Sequence, residues 1–232
     1  DIDMLKKLLL MVIIFPSTLF AAQKECPVKP SYNIAINKES VHIFNKKNDL
    51  MIKSNGEVIF NKKTVLVKPP LEKQTQKFQT NLRQQLPKLE QEALSLLSEV
   101  KIIFESAIKN KLGNDNELHR ELNKLYKRLV KLLHKSIITE SGNTQFYYQN
   151  FNNLKKDGED IGTHIFYNVV GGSIINFDFL KNYGAIKQIS KNEWKSQKSK
   201  LKAFDAHICS VITDIDGQYK QILTQLNQST YK

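Results

Sequence analysis

Residues 41–60 read Val41-His42-Ile43-Phe44-Asn45-Lys46-Lys47-Asn48-Asp49-Leu50-Met51-Ile52-Lys53-Ser54-Asn55-Gly56-Glu57-Val58-Ile59-Phe60. Val41 and Ile43, Leu50 and Ile52, and Val58 and Phe60 each keep a period of two, the repeat of a strand with one face buried. Polar runs separate the pairs, Asn45 to Asp49 and then Ser54-Asn55-Gly56. Asn-Gly between alternating strands is a strong hairpin signal, because both turn positions then take positive φ. Beyond Asn61-Lys62-Lys63 the alternation continues at Val65 and Val67. Residues 31–68 therefore predict an antiparallel β-meander of three or four short strands, with turn lysines protecting its edges from aggregation.

Pro69-Pro70 closes the meander and the apolar period changes to that of helices. Phe78 and Leu82 share a face in a Gln-rich stretch from Leu71 to Leu86, and Pro87 suits the first turn of a new helix. That second helix carries Leu89, Ala93, Leu96, Leu97, Val100, Ile103, Phe104, Ala107 and Ile108 in one stripe. Gly113-Asn114-Asp115 supplies a stop and a cap. Leu118, Leu122, Leu125, Leu129, Leu132, Leu133 and Ile137 then predict a third helix ending near Gly142. The pair reads as an antiparallel hairpin about 40 Å long. From Thr144 to Tyr183 the pattern is ambiguous. Phe146-Tyr147-Tyr148 reads either as strand or as helix start, and Gly158, Gly162 and Gly171-Gly172 either as turns or as close packing points. Ser190-Lys191-Asn192-Glu193 matches a capping box ahead of a long stripe from Trp194 to Leu226, with Gly217 as a weak point. The expected class is α+β, a short N-terminal meander followed by long amphipathic antiparallel helices.

The N-terminus has the form of an export signal. Lys6-Lys7 precede an apolar run from Leu8 to Phe15, and small residues end at Ala21-Ala22. Met4 is the expected start and residues 1–22 the expected cleaved leader. The run is shorter than the roughly 20 residues that span a bilayer, so no transmembrane span is expected after cleavage. Residues 23–232 are expected to form a single α+β domain, meander at 23–68 and helical part at 69–232. Two cysteines exclude a dense disulfide scaffold and a four-cysteine zinc site. In an oxidising compartment Cys26 and Cys209 most simply form one disulfide, the alternative being two free buried thiols. Closing that loop would constrain the unfolded chain by about 5 kcal/mol in the entropy model.

Several features carry a family resemblance when taken in order. They are Glu25-Cys26-Pro27-Val28, the Asn55-Gly56 hairpin, Leu86-Pro87, Gly171-Gly172, Glu193-Trp194-Lys195 with Gln197-Lys198, and Phe204 followed by Ile208-Cys209-Ser210. Together they resemble the YggN-like exported proteins of Gram-negative proteobacteria, a domain of unknown function. The resemblance spans nearly the whole mature chain and is weakest from Lys181 to Ser190. It implies a periplasmic protein with one paired cysteine at each end, and it supplies no catalytic residue.

No chemical motif survives scrutiny. His42, His119, His134, His164 and His207 include no pair at i, i+4 and no HExxH. Ser199-Lys200-Leu201-Lys202 matches S-x-x-K, but Lys63-Thr64 is followed by Val65, so the K-T-G partner is missing. Asp214-Ile215-Asp216-Gly217 hints at a calcium loop, yet a loop with Gly217 sixth would begin at Ile212 and end at Leu223, neither a ligand. No cofactor, metal or catalytic site is expected.

The net charge of +12 at first points to a polyanion. Leader cleavage removes Lys6, Lys7, Asp1 and Asp3, two of each sign, so the charge belongs to the mature chain. Only three of the thirty-five basic residues in the full sequence are arginine, the residue that bidentate phosphate recognition recruits. With export, this argues against nucleic acid. Arg120, Lys124, Lys127, Arg128, Lys131 and Lys135 form a candidate basic surface, and Lys191, Lys195, Lys198, Lys200 and Lys202 a second run. The alternative is a solvated helix face. The leading expectation is a non-catalytic periplasmic binding or structural component of the cell envelope, partnered by another envelope protein. Its rivals are an electrostatic binder of anionic membrane surface or polyanion, and a hydrolase whose site the sequence hides.

Overall fold

In the computed structural model, residues 25–114, 116–173 and 177–229 are described. The expected leader, 1–22, lies outside them. The alternating segments form strands β1 (Asn33–Ile36), β2 (Ser40–Phe44), β3 (Asp49–Lys53), β4 (Val58–Phe60) and β5 (Lys63–Val65). Helices α1 (Pro69–Leu112) and α2 (Asn116–Ser136) follow, then strands β6 (Ile137–Glu140) and β7 (Asn143–Phe146), and helices α3 (Tyr148–Ser173) and α4 (Phe177–Ser229). All strands join one antiparallel sheet in the order β5-β4-β3-β2-β1-β7-β6. The class is α+β, as the periodicities predict.

The turns differ from expectation in an instructive way. At Ser54-Asn55-Gly56, only Gly56 has positive φ, at 95°. Its N–H bonds the Lys53 carbonyl and the Lys53 N–H bonds the Glu57 carbonyl, so the loop is a longer turn ending in a glycine bulge. The two-residue hairpins lie elsewhere. Asn61 and Lys62 (φ 49° and 68°) join β4 to β5, and Ser141 and Gly142 (φ 51° and 78°) join β6 to β7. Asparagines hold most of these turns. Asn37 Oδ1 accepts from the N–H groups of Glu39 and Ser40, Asn45 Oδ1 from those of Lys47 and Asn48, and Asn55 Oδ1 from that of Glu57.

Four other expectations are corrected. The third predicted helix stops at Ser136, because Ile137–Glu140 pairs with β7, which in turn pairs with β1. Ile137 thus belongs to the sheet, and two of the seven strands come from the middle of the chain. Pro87 starts no new helix but sits inside α1. Its missing N–H leaves the Arg83 carbonyl without its helical partner. The turn reading of Gly158, Gly162 and Gly171-Gly172 does not hold, since α3 runs through all four to Ser173. Ser190–Glu193 is no cap, since α4 begins at Phe177. At Pro87 the buried Leu82, Leu86 and Leu89 on either side outweigh the local signal.

The chain divides into two compact units. The sheet unit comprises Cys26–Glu92, Leu133–Asn152 and Asp205–Lys232. Its core lies on one face of the sheet, where Ile34, Ile36, Val41, Ile43, Leu50, Ile52, Val58, Phe60 and Phe146 are buried. The α1 stripe Leu71, Phe78, Leu82, Leu86 and Leu89 and the α4 stripe Val211, Ile212, Ile215, Tyr219, Ile222 and Leu226 are buried in the same unit. Here α1 and α4 are antiparallel: Gln74 bonds Gln221 and Gln225, while Asn81 bonds Asp214. Phe78 stacks on Tyr219, with ring centroids 6.5 Å apart.

The helical unit contains Ala93–Leu132 and Asn153–Phe204. Phe104, Ala107, Ile108, Leu125, Leu132 and Leu201 are buried in it. The turn around Gly113 (φ 70°) joins α1 to α2. Lys101 Nζ lies 5.2 Å from the Tyr126 ring centroid, which places the two helices antiparallel, as the sequence predicts. A Cβ at Gly158 of α3 would sit 3.8 Å from the side chains of both Leu129 and Leu132.

Candidate functional site

Arg120, Lys124, Lys127, Arg128 and Lys131 are all exposed on the part of α2 within the helical unit. At 3.6 residues per turn they occupy an arc of about 100° over about 16 Å of helix. The apolar stripe containing the buried Leu125 and Leu132 is on the far side, packed into the fold. Glu121, at the edge of the arc, is buried and neutralises one end of it. Its Oε1 accepts from Lys124 Nζ at 2.6 Å and lies 3.7 Å from Arg120 Nε. Among the described residues, Lys127, Arg128 and Lys131 have no carboxylate within ion-pair distance. Lys135 is exposed in the last turn of α2 and belongs to the sheet unit. The second predicted basic run is less uniform. Lys200 and Lys202 are exposed and Lys200 pairs with Glu99, while the Lys191, Lys195 and Lys198 side chains lie outside those described.

Three of the histidines are tied into structural pairs. His42 Nε2 lies 2.7 Å from Asp49, His134 Nε2 3.3 Å from Glu90, and His207 Nε2 3.1 Å from Glu92. The His164 side chain is outside those described. Among the described residues no three His, Cys, Asp or Glu side chains are grouped to hold a metal ion. Asp214 and Asp216 lie in the middle of α4, not in a loop. Asp214 accepts from Asn81 and Gln218, whereas Asp216 accepts from Tyr32 and Lys220.

Cys26 and Cys209 form a disulfide with Cα atoms 5.6 Å apart, linking the segment before β1 to α4. Six residues along, Tyr32 donates its phenol hydrogen to the buried Asp216 at 3.0 Å, and the Tyr32 and Tyr219 rings meet at 4.4 Å. Burial, reinforced by the Asp216 charge, raises both phenols above their ordinary range, Tyr219 to about 12. This cluster was not legible in the sequence, because Tyr32 and Asp216 lie 184 residues apart and the one motif that contains Asp216, the failed calcium loop, points to a different role.

A seven-stranded antiparallel sheet joined to a long C-terminal helix by one disulfide makes this an α+β protein. The chain is a distant, near-full-length homologue of the uncharacterized protein YggN of Escherichia coli K12. The two are 21% identical over 238 aligned positions, covering 96% of this chain and all of the relative. The YggN proteins of E. coli O6:H1 and O157:H7 match equally well. No family model matches and no solved structure gives a significant match. The relatives' names bring no activity with them.

Proposed function

We propose that this is a periplasmic, non-catalytic binding protein of the cell envelope, and that α2 presents the face by which it meets an anionic surface. The observation that carries this reading is the arc of five exposed cations, of which Lys127, Arg128 and Lys131 lack a partner carboxylate among the described residues. Like charges crowded on one helix face repel each other, a cost that an anionic partner relieves. Since Leu125 and Leu132 are already buried, the described side chains of α2 offer no exposed apolar face to insert into lipid. Contact would stay in the headgroup plane and depend on long-range charge.

Co-sedimentation with vesicles containing anionic lipid tests the reading. Binding should weaken steeply as salt shortens the Debye length from about 30 Å towards about 8 Å. Reversal at Lys124, Lys127 and Lys131 to Glu should reduce it by about tenfold or more, given about 1 kcal/mol per basic residue near such a surface. Binding indifferent to that reversal would remove α2 from the function. A reproducible crosslinked protein partner from periplasm, with no vesicle binding, would favour a protein surface instead.

A further inference from the structure

The sheet unit carries a second cationic surface, built from two turns of the same sequence. Asn45-Lys46-Lys47 lies between β2 and β3, and Asn61-Lys62-Lys63 enters β5 from β4. Successive antiparallel strands bring both turns to one end of the sheet. Phe44 pairs with Asp49 at the tip of the first and Phe60 with Lys63 at the tip of the second. Their centres are two strand spacings apart, about 10 Å. Asn61 ties them together, donating its N–H to the Asp49 carbonyl at 2.8 Å and accepting the Asp49 N–H on Oδ1 at 2.9 Å. Asn45 braces the first turn further, since its Nδ2 donates to the Ser31 carbonyl at 3.0 Å.

All four lysines are exposed, and among the described residues none has a carboxylate within ion-pair distance. Asp49, the acid on these strand ends, is occupied by His42 at 2.7 Å. Protection of a sheet edge accounts for Lys62 and Lys63, which lead into the edge strand β5 and open it. It does not account for Lys46 and Lys47, which cap the interior pair β2 and β3.

We infer that these paired Asn-Lys-Lys turns form a docking surface for a plane of anionic lipid headgroups, separate from α2. The turn backbones are pinned, so the four ammonium groups are displayed as a set. Each remains a flexible point charge able to follow laterally mobile headgroups. Neither turn contains an arginine or an aromatic side chain, the groups with which proteins clasp phosphodiesters and stack bases. The choice of an anionic surface rests on the function proposed above, but the residues do not.

The test neutralises Lys46, Lys47, Lys62 and Lys63 to Gln in the full chain and leaves α2 unaltered. Partition to vesicles of phosphatidylglycerol in phosphatidylcholine should fall by about tenfold or more at low salt. A second variant with Lys→Arg at the same four positions should bind as the parent does. An unchanged urea midpoint in both variants shows that the sheet is intact, and the pair Lys46→Gln/Lys47→Gln gives an intermediate loss if the full set unfolds. Wild-type partition in the Gln variant overturns the inference, and so does a loss seen for single-stranded oligonucleotide while vesicle binding is unaffected. Loss in the turn variant with none in the α2 variant defeats the α2 proposal and leaves this one standing; the opposite result does the reverse.

Discussion

Tyr32 and Asp216 are 184 residues apart in sequence, yet the phenol hydroxyl of one donates to the carboxylate of the other at 3.0 Å in the interior of the sheet unit. Lys220 approaches the second oxygen of Asp216 at 2.8 Å. Tyr32→Phe keeps the ring against Tyr219 but leaves Asp216 Oδ1 buried without that donor. The cost expected is about 1–3 kcal/mol, seen as a lower urea midpoint at unchanged slope. A variant as stable as the parent would show that the bond contributes nothing net.

The same cluster sets a limit at high pH. Tyr219 is raised to about 12 and Tyr32 is raised further, so both stay neutral in the folded chain after an unfolded tyrosine has ionised near 10. Between those values the unfolded state releases protons that the folded state keeps, so stability falls as pH rises. Their contribution is complete below about pH 10 and is lost upward through pH 12. Absorbance at 295 nm should show two of the eight tyrosines ionising late or only on unfolding. Eight equivalent titrations in the folded state would contradict this.

Gly56 gives a local prediction. Its φ of 95° is one that L side chains rarely adopt, and a Cβ there would meet Gln76 Nε2 at 3.2 Å. Gly56→Ala should cost about 1–2 kcal/mol from backbone conformation alone. An equally stable variant would mean that the turn can change type without affecting β3 and β4.

Ser136 tests the opposite sign. Its side chain is fully buried, and its hydroxyl finds no hydrogen-bond partner among the described residues. Ser136→Ala removes that unpaired group with little change of shape. It should leave stability equal or raise it by about 1 kcal/mol, whereas a loss would reveal a partner for the hydroxyl.

The strands at Val41–Ile43, Leu50–Ile52 and Val58–Phe60 were legible because each contacts the core on one face, so burial itself writes the period of two. Ile137–Glu140 was not. Leu132, Leu133 and Ile137 also satisfy helical spacing, and only pairing with a strand that reaches β1 decides against it. Pro87 misled for a related reason: a local signal for a helix start is outweighed when Leu82, Leu86 and Leu89 are all buried against the same core. The α2 cations were legible as a list, and helical geometry turns that list into a face. The lysine turns were legible as separate runs, and only the meander register places them at one end of the sheet.

The disulfide joins positions 183 residues apart, and its effect should be large. In the entropy model that loop removes about 5 kcal/mol of unfolded-state freedom. The bond also holds the segment leading to Tyr32, whose hydrogen bond to Asp216 depends on that segment staying against α4. Reduction should therefore act twice: it relaxes the unfolded chain and loosens the Tyr32 cluster in the folded one. The Cys26→Ser/Cys209→Ser variant isolates the pair of effects without reductant. Its urea midpoint should fall by an amount equivalent to several kcal/mol, and Tyr32→Phe should cost less in this background than in the parent. Equal costs in both backgrounds would mean that the N-terminal segment is held by its own contacts, among them the Asn152 bond to the Pro30 carbonyl at 2.9 Å, and that the disulfide acts on the unfolded chain alone.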